Sequence, residues 1–584
     1  MPEYLAPGVF VEETTFRAKP IEGVGTSTAG FVGPCRYGRV VGPGVAVTSM
    51  SEFENAYGGG APLEFSTQGS LTPTSTSPLP NYMWHAARAF FAEGGKRLHV
   101  ARAFRPLAGT YPPTAAPVDV GTAGSPAWSD GHGRYSDGTL AMRARFPGAA
   151  GNLIVRLTLQ AGADNPLLGQ DLTLGIEILS SDGAHSLGRW IQSTLDPTNA
   201  AFGAKGSEFA RFSANSECID ASPPTPLIID GPVDSELNTA EFVASWFADE
   251  LALAAADLAA GDTIATRLTR GVTREVQLTG GNDGLRPRAA EYAGAVGPEE
   301  AFRTGLRQLE IADDVSIVAA PGATQHHASD PADVAEIYSL LIDHAERMRY
   351  RIAVLDSPPG IDVREMVELR SRLDSSHAAI YYPWITIADP ITGGELDLPP
   401  SGFVAGIYAR NDVQRGVYKA PANEVVTLAV NLERAIDKEQ QDLLNPKGVN
   451  CLRHFEGRGI RVWGARTISS DPEWKYVNVR RYFAYIEQSI DRGTQWAVFE
   501  PNGEALWANV RRTIEDFLLA EWRNGAMLGD RPDKAFFVKC DRTTMTQNDL
   551  DNGRLVCLIG VAPLRPAEFV IVRIGQWTAD RKDG

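Results

Sequence analysis

The chain has 584 residues, of which 43% are hydrophobic, 9% aromatic and 22% charged, enough apolar material for large cores and too much for a disordered polymer. With 55 Lys and Arg against 72 Asp and Glu the net charge is −17, which argues against a protein that tracks nucleic-acid phosphates, because such a surface has to be basic. The five cysteines, Cys35, Cys218, Cys451, Cys540 and Cys557, are widely spaced and form no CxxC pair, which argues against a disulfide framework or cysteine zinc site and for a reducing compartment.

From Met1 to Phe10 the sequence lacks the basic and apolar regions of a secretory leader. No stretch reaches the ~18 uncharged apolar residues of a membrane helix, since the nearest, Phe242 to Ala260, is interrupted by Asp249, Glu250 and Asp257. The expectation is a soluble protein made in the cytoplasm, with no direct membrane insertion. The first 25 residues read as an arm: Pro2, Pro7, Gly8 and Pro20 break any helix, and only Val9, Phe10 and Val11 are apolar enough for a strand. Gly58 to Pro80 is a Gly-, Pro-, Ser- and Thr-rich loop. Met83, Ala86, Ala87, Phe90 and Phe91 then follow helical spacing, Gly94 and Gly95 stop that helix, and Leu98 to Phe104 is a strand.

Pro106 to Gly138 reads as a domain boundary, after which Leu140 to Leu159 and Asp171 to Leu179 are predicted strands and Glu241 to Ala260 an amphipathic helix. Between Asp230 and Asp262 there are eight acids and no base, a negative face whose ordinary role is solubility. Past Gly280 strand and helix alternate: Val315 to Ala319, Ile352 to Leu355 and Ala378 to Ile387 as strands, with Ala332 to Arg349 and Val363 to Leu373 as helices. Alternation at this spacing predicts right-handed crossovers and a largely parallel α/β sheet covered on both faces. The remainder is mixed α+β. Val449 to Phe455 and Ile460 to Ile468 form a hairpin through Gly457-Arg458-Gly459. Tyr476 to Ile490 is a helix, Gln495 to Phe499 a strand, and Glu504 to Arg523 a helix. Phe536 to Cys540, Leu555 to Val561 and Glu568 to Gln576 are strands.

The sequence carries no signature of enzyme chemistry. GxxxxGK[ST], HExxH, GxGxxG and GxSxG are all missing; Gly25-Thr26-Ser27-Thr28-Ala29 comes nearest to the last. His326, His327 and Asp330 imitate a metal cluster, but adjacent histidines on an extended segment point to opposite faces. Asp356, at a strand carboxyl end where open α/β sheets gather ligands, leaves one enzyme reading open, a hydrolase or lyase, although Asp356-Ser357-Pro358-Pro359-Gly360 reads equally as a turn into a helix. No catalytic residue, metal or cofactor is expected.

The chain ends stand out instead. Phe569, Val570, Ile571, Val572 and Ile574 put apolar side chains on both faces of one strand, the pattern of a strand inside a sheet, while Val9-Phe10-Val11 has no neighbouring core. Either both ends fold back as edge strands of their own molecule, or each completes a sheet in another copy by β-augmentation. Repeated head-to-tail, the second arrangement generates a helical assembly. A second asymmetry is electrostatic. Lys447 to Arg481 carries eight bases (Lys447, Arg453, Arg458, Arg461, Arg466, Lys475, Arg480 and Arg481) against three acids, a surface that would steer an acidic partner unless the charges pair internally.

Several runs resemble the sheath proteins of contractile phage tails and related injection particles. Tyr4-Leu5-Ala6-Pro7-Gly8-Val9-Phe10-Val11-Glu12-Glu13 is similar to that family's N-terminal arm, and Gly30-Phe31-Val32-Gly33-Pro34 to the strand after it. Leu278 to Gly284 and Asp313 to Pro321 resemble the stretch where its core resumes. The most diagnostic run is Ser401 to Asp412 followed by Arg415 to Asn423; Asn445 to Asn450, Val462 to Thr467 and Trp496 to Asn502 complete the set. The resemblance covers roughly 1–105 and 278–577 and not 106–277, where the family is variable. It implies a multidomain subunit: an N-terminal arm at 1–25, a core at 26–105 plus 278–430, an inserted β-rich outer domain at 106–277, a tube-facing domain at 431–565 and a C-terminal arm at 566–584.

The resemblance implies a structural subunit without enzymatic activity, made and assembled in the bacterial cytoplasm as part of a phage tail or released contractile particle. Its partners would be itself in a helical homopolymer, an inner tube, a baseplate and a tail-terminator or cap protein, and not nucleic acid. Contraction would draw on the free-energy difference between two packings, with the terminal arms linking neighbours by strand exchange. Arg511, Arg512 and Glu515 on the helix Glu504 to Arg523, opposite an inner stripe of Val510, Ile514, Phe517 and Leu518, are the tube-contact candidates, joined by Arg480 and Arg481 in the basic region. A third reading, a monomeric receptor-binding or scaffold protein, would pair the last strand internally.

Overall fold

A computed structural model describes residues 20–66, 78–112, 118–119, 126–137, 140–161, 172–193, 212, 225–229, 245–297, 302–569 and 571–572. The chain divides into two compact units, one of 27–410 and 421–470, the other of 1–26, 411–420 and 471–584.

The larger unit is built on a nine-stranded sheet. In spatial order its strands are Glu424–Val425, Gly459–Val462, Val449–Phe455, Ala378–Tyr382, Ile352–Asp356, Ile317–Ala319, Ala29–Gly33, Leu98–Arg102 and Val45–Val47. The six strands from Val449–Phe455 to Leu98–Arg102 run parallel, and antiparallel partners close both edges. Every residue of Ala29–Gly33, Leu98–Arg102, Ile352–Asp356 and Ala378–Tyr382 is buried, as strands covered on both faces require. The helices Pro331–Met348 and Val363–Ser371 pack Val334, Ile337, Leu341 and Met366 into one core cluster with Val318, Ala353 and Ile380 of the sheet. Tyr82–Ala92 and Ser401–Arg415 approach so closely that a Cβ on Gly402 would lie 2.6 Å from the Ala86 Cα. That contact explains why a residue without a Cβ stands at this position of the helix.

The hairpin Val449–Phe455/Gly459–Val462 forms as expected, but it pairs into this sheet through Ile380–Tyr382. The C-terminal unit therefore begins at Asp471, not at 431. The predicted strand Ala378 to Ile387 is two strands, Ala378–Tyr382 and Ile385–Ala388, that enter different sheets. Pro383 has no N–H for a ladder, and the Trp384 indole turns inward to donate to the Ser357 carbonyl at 2.6 Å.

Among the described residues, region 106–277 is β-rich. Val272–Gln277, Ile154–Ala161, Leu172–Leu179 and Ser186–Ser193 form a four-stranded antiparallel sheet, and Arg134–Ser136, Ala141–Ala144 and Leu227–Ile229 a three-stranded one. They share a core of Leu140, Met142, Val155, Leu157, Ile176 and Ile178 with Trp246 and Phe247. The predicted strand Leu140 to Leu159 breaks at Pro147-Gly148, where Gly148 takes φ 128° and a Cβ would sit 1.9 Å from the Arg36 carbonyl. The expected helix Glu241 to Ala260 is not one helix: 241–244 lie outside the described residues, and beyond them stand only Ala248–Leu251 and Ala255–Ala259. Arg267 donates to the Glu250 and Ala252 carbonyls at 3.1 Å each, supplying partners that a continuing helix would otherwise provide. It also pairs with Asp257 and Asp262, and Arg270 with Asp262, so the described end of the acidic stretch is partly neutralised by bases that follow it in sequence.

In the smaller unit the helices Val477–Gly493 and Glu504–Arg523 enclose a core of Tyr482, Ile486, Trp507, Val510, Ile514, Phe517 and Leu518. Against it lies a two-stranded antiparallel ribbon, Phe536–Lys539 with Leu558–Val561. Gln495–Ala497 is a 3-10 turn rather than a strand; it leads to Phe499, exposed at φ 68°, a backbone state a strand cannot hold.

Candidate assembly surface

One helix of the smaller unit, Val477–Gly493, grips the roots of both chain ends. On the N-terminal side Arg481 donates to the Thr26 carbonyl at 2.9 Å, and the Val24 N–H to the Ser489 hydroxyl at 3.1 Å. Ile21 joins the core of this unit and packs against Gly493, where a Cβ would stand 2.6 Å from its Cγ1. On the C-terminal side the Asn478 amide donates to the Leu564 carbonyl at 3.0 Å and the Tyr476 hydroxyl to Glu568 at 3.2 Å. Lys475 stands 3.9 Å from Glu568. Polar residues fill a helix of this kind because each finds a fixed partner; unpaired, each would cost its desolvation.

At the centre of the N-terminal root is a buried ion pair. Arg481 donates to both Asp412 oxygens, at 2.8 and 2.6 Å, and the Thr26 hydroxyl donates to the same carboxylate at 2.6 Å. Burial pushes the Asp412 carboxyl above the usual range, while the guanidinium and the hydroxyl pull it back. Both charged side chains are only 4% exposed, so their partners within the unit satisfy them and neither faces a solvent surface. Arg480 is also buried, stacked 4.3 Å over Trp474 and paired with Glu487 at 3.0 Å. The expectation that Arg480 and Arg481 face a tube is therefore corrected. Arg466 is buried too, which leaves the basic region less positive outside than its sequence count implies.

Beyond Glu568 the described residues are bare. Phe569, Ile571 and Val572 are 72%, 79% and 74% exposed and lie in no strand, so the described part of the segment does not fold back as an edge strand. Val570 and Ile574 lie outside the described residues, as do Val9, Phe10 and Val11. The ribbon beside this end carries exposed Phe537 and Leu558, and among the described residues no strand pairs with its outer edges. On the helix Glu504–Arg523, Val510, Ile514, Phe517 and Leu518 face inward. Arg511 and Glu515 form a loose 3.9 Å pair, both nearly half exposed, and Arg512 is exposed.

The phage tail sheath protein central domain matches 304–468, and the phage tail sheath C-terminal domain matches 469–576. The sheath of an extracellular contractile injection system, PVC, in its contracted state is 33% identical over 48% of this chain and 77% of its own, with a TM-score of 0.42. The chain belongs to the phage tail sheath protein family. The prophage major tail sheath protein of Pseudomonas aeruginosa (strain UCBPP-PA14) is 25% identical over 295 residues, 48% of this chain and 72% of that protein. The helical sheath of the anti-feeding prophage in its contracted state shares the fold over 98% of this chain and 99% of its own, with a TM-score of 0.50 at 20% identity. The C-terminal family match begins at 469, within two residues of the unit boundary at Asp471.

Members of this sheath family are structural proteins, not enzymes, and the residues that left chemistry open have structural work. Asp356 is buried and accepts from the Ser401 N–H and hydroxyl at 2.7 Å each, holding the start of the helix Ser401–Arg415. Burial, opposed by those bonds, lifts its carboxyl to about 7. His326 pairs with Asp333 at 2.8 Å, and Asp330 caps the helix Pro331–Met348 through the Asp333 N–H. Among the described residues no helix is long and apolar enough to cross a membrane. Sequence reasoning missed Thr26 and Asp412 as the anchor of the arm. Asp412 stands in the run Ser401 to Asp412 that carried the resemblance, but a lone acid in a helix does not announce a partner 69 residues away.

Proposed function

We propose that this sheath subunit polymerises helically around an inner tube, linked to its neighbours by its two terminal arms. Each arm adds as a strand to the ribbon Phe536–Lys539/Leu558–Val561 of an adjoining copy. The observation that carries this reading is the end of the chain: a segment of strand-forming residues, anchored at Glu568 and then exposed at Phe569, Ile571 and Val572. The ribbon supplies matching edges, since two strands alone are marginal and accept further ones. Main-chain pairing suits a moving lattice because it survives a hinge without depending on one side-chain geometry. The exposed helix face of Arg511, Arg512 and Glu515 meets the tube. A baseplate and a cap or terminator close the two ends. Assembly takes place in the bacterial cytoplasm, and contraction runs from a metastable extended lattice to a shorter one without nucleotide hydrolysis. The resemblance to sheaths whose solved forms are a contracted helical lattice and a contracted sheath complex supports the polymer reading.

The test is truncation. Deleting residues 1–13 is expected to leave a folded, soluble subunit that makes no long polymers in negative-stain electron microscopy. Ending the chain before Glu568 is expected to abolish them as well and to cost more stability, because the anchor to Tyr476 goes with the strand. Normal sheaths from either shortened chain would refute strand exchange while leaving the sheath fold intact.

A further inference from the structure

The ribbon carries a pair of cysteines that the assembly reading does not use. Its register runs Phe536 opposite Val561 through Lys539 opposite Leu558, and one step on sets Cys540 opposite Cys557. Both are free thiols, and their side chains interact with each other. Cys540 is buried and Cys557 half-buried, so Cys557 is the more open of the two. A cross-strand pair has its Cβ atoms about 4.5–5.5 Å apart, and a disulfide needs them at about 3.5–4.5 Å, a gap that a small inward shift of two strand ends closes.

We propose that Cys540 and Cys557 form a redox staple: a dithiol while the subunit is made in a reducing cytoplasm, and a cross-strand disulfide once the particle meets an oxidising exterior. The oxidant is a low-molecular-weight disulfide such as oxidised glutathione. The Cys557 thiolate attacks one of its sulfurs, expelling one glutathione thiolate and leaving a mixed disulfide on Cys557. Cys540, losing its proton to solvent, then attacks the Cys557 sulfur and expels the second glutathione. Two protein thiols and one glutathione disulfide become one protein disulfide and two glutathione thiols. The bond closes a loop over 541–556, which holds the short helix Gln547–Asp551, and so limits how far the ribbon can open.

Burial and the neighbouring Cys540 push the Cys557 thiol up to about 12, and burial raises Cys540 as well. The charges that reach the pair are Arg511 and Asp541 at Cys540 and Glu515 at Cys557. Thiols held protonated react slowly, which keeps the dithiol intact during synthesis, and a dithiol whose thiolates are unstabilised favours its disulfide at equilibrium.

The experiment takes the full-length protein, reduced and then incubated with oxidised glutathione, unfolds it, alkylates it with N-ethylmaleimide and digests it with trypsin. The expected product is a peptide of residues 540–542 joined to one of residues 555–573, lighter by two hydrogens than the pair. Label should be lost from Cys540 and Cys557 and retained on Cys35 and Cys451, with reversal by dithiothreitol. Thermal unfolding should shift upward on oxidation in the parent and not in Cys540→Ser, where glutathione should remain on Cys557. Full alkylation of both cysteines after oxidation would overturn the proposal, as would glutathione retained on Cys557 of the parent, or Cys540 and Cys557 joined between chains on a non-reducing gel. The mass measurement on the parent needs no variant to fold.

Discussion

Arg481 shows how a charge counted along the sequence can mislead. It was one of eight bases in a short stretch, yet it lies inside, holding Asp412 and the carbonyl of Thr26. A pair this deeply buried repays its desolvation only while both partners remain. Arg481→Met is expected to cost about 3–5 kcal/mol in denaturant unfolding, whereas Arg481→Met with Asp412→Leu should recover most of that loss; a double variant as unstable as the single one would place the energy elsewhere. Asp356 offers a titration of the same physics. Its folded carboxyl ionises only near pH 7, while the unfolded one does so near about 4. The folded state therefore holds a proton that the unfolded state has lost, and stability falls as pH rises through that window, by up to about 4 kcal/mol. Asp356→Asn, which keeps an acceptor for Ser401, should flatten the fall in a pH series of unfolding curves; an unchanged slope would mean that this carboxyl is not its source.

Elements with strong periodicity came through the sequence almost to the residue, and those that depend on distant partners did not. Glu504–Arg523 has the expected bounds and its Val510, Ile514, Phe517 and Leu518 stripe is buried, because one apolar face every 3.6 residues leaves no other solution. Its opposite face makes a separable prediction. Arg511→Glu with Arg512→Glu should leave the melting temperature within the small range of surface changes and reduce co-sedimentation with the inner tube. Unchanged binding would move the contact off this helix. By contrast, Glu241 to Ala260 had the composition of a helix but is broken where Arg267 takes its carbonyls, and Gln495 to Phe499 had strand residues but opens as a 3-10 turn. The bare segment at Phe569, Ile571 and Val572 belongs with these: its pattern marks a strand, yet its described residues are exposed and lie in no strand.

At the scale of the whole molecule, the alternation of strand and helix after Gly280 determined a parallel, doubly covered sheet, because crossovers of that length permit little else. The ordered runs between Tyr4 and Asn502, above all Ser401 to Asn423, pointed to the sheath family. What the sequence left undecided was where the units divide. The hairpin Val449–Phe455/Gly459–Val462 looks like the opening of a C-terminal domain, and only its ladder to Ala378–Tyr382 assigns it to the core sheet. The direction of the buried arginines, the anchoring of both chain ends on one helix and the meeting of Cys540 with Cys557 were likewise decided by tertiary structure. Periodicity records which face of an element is apolar, a local property carried by every few residues. Pairing between strands, and between a charge and its partner, depends on contacts across long stretches of chain, and single residues carry no mark of them.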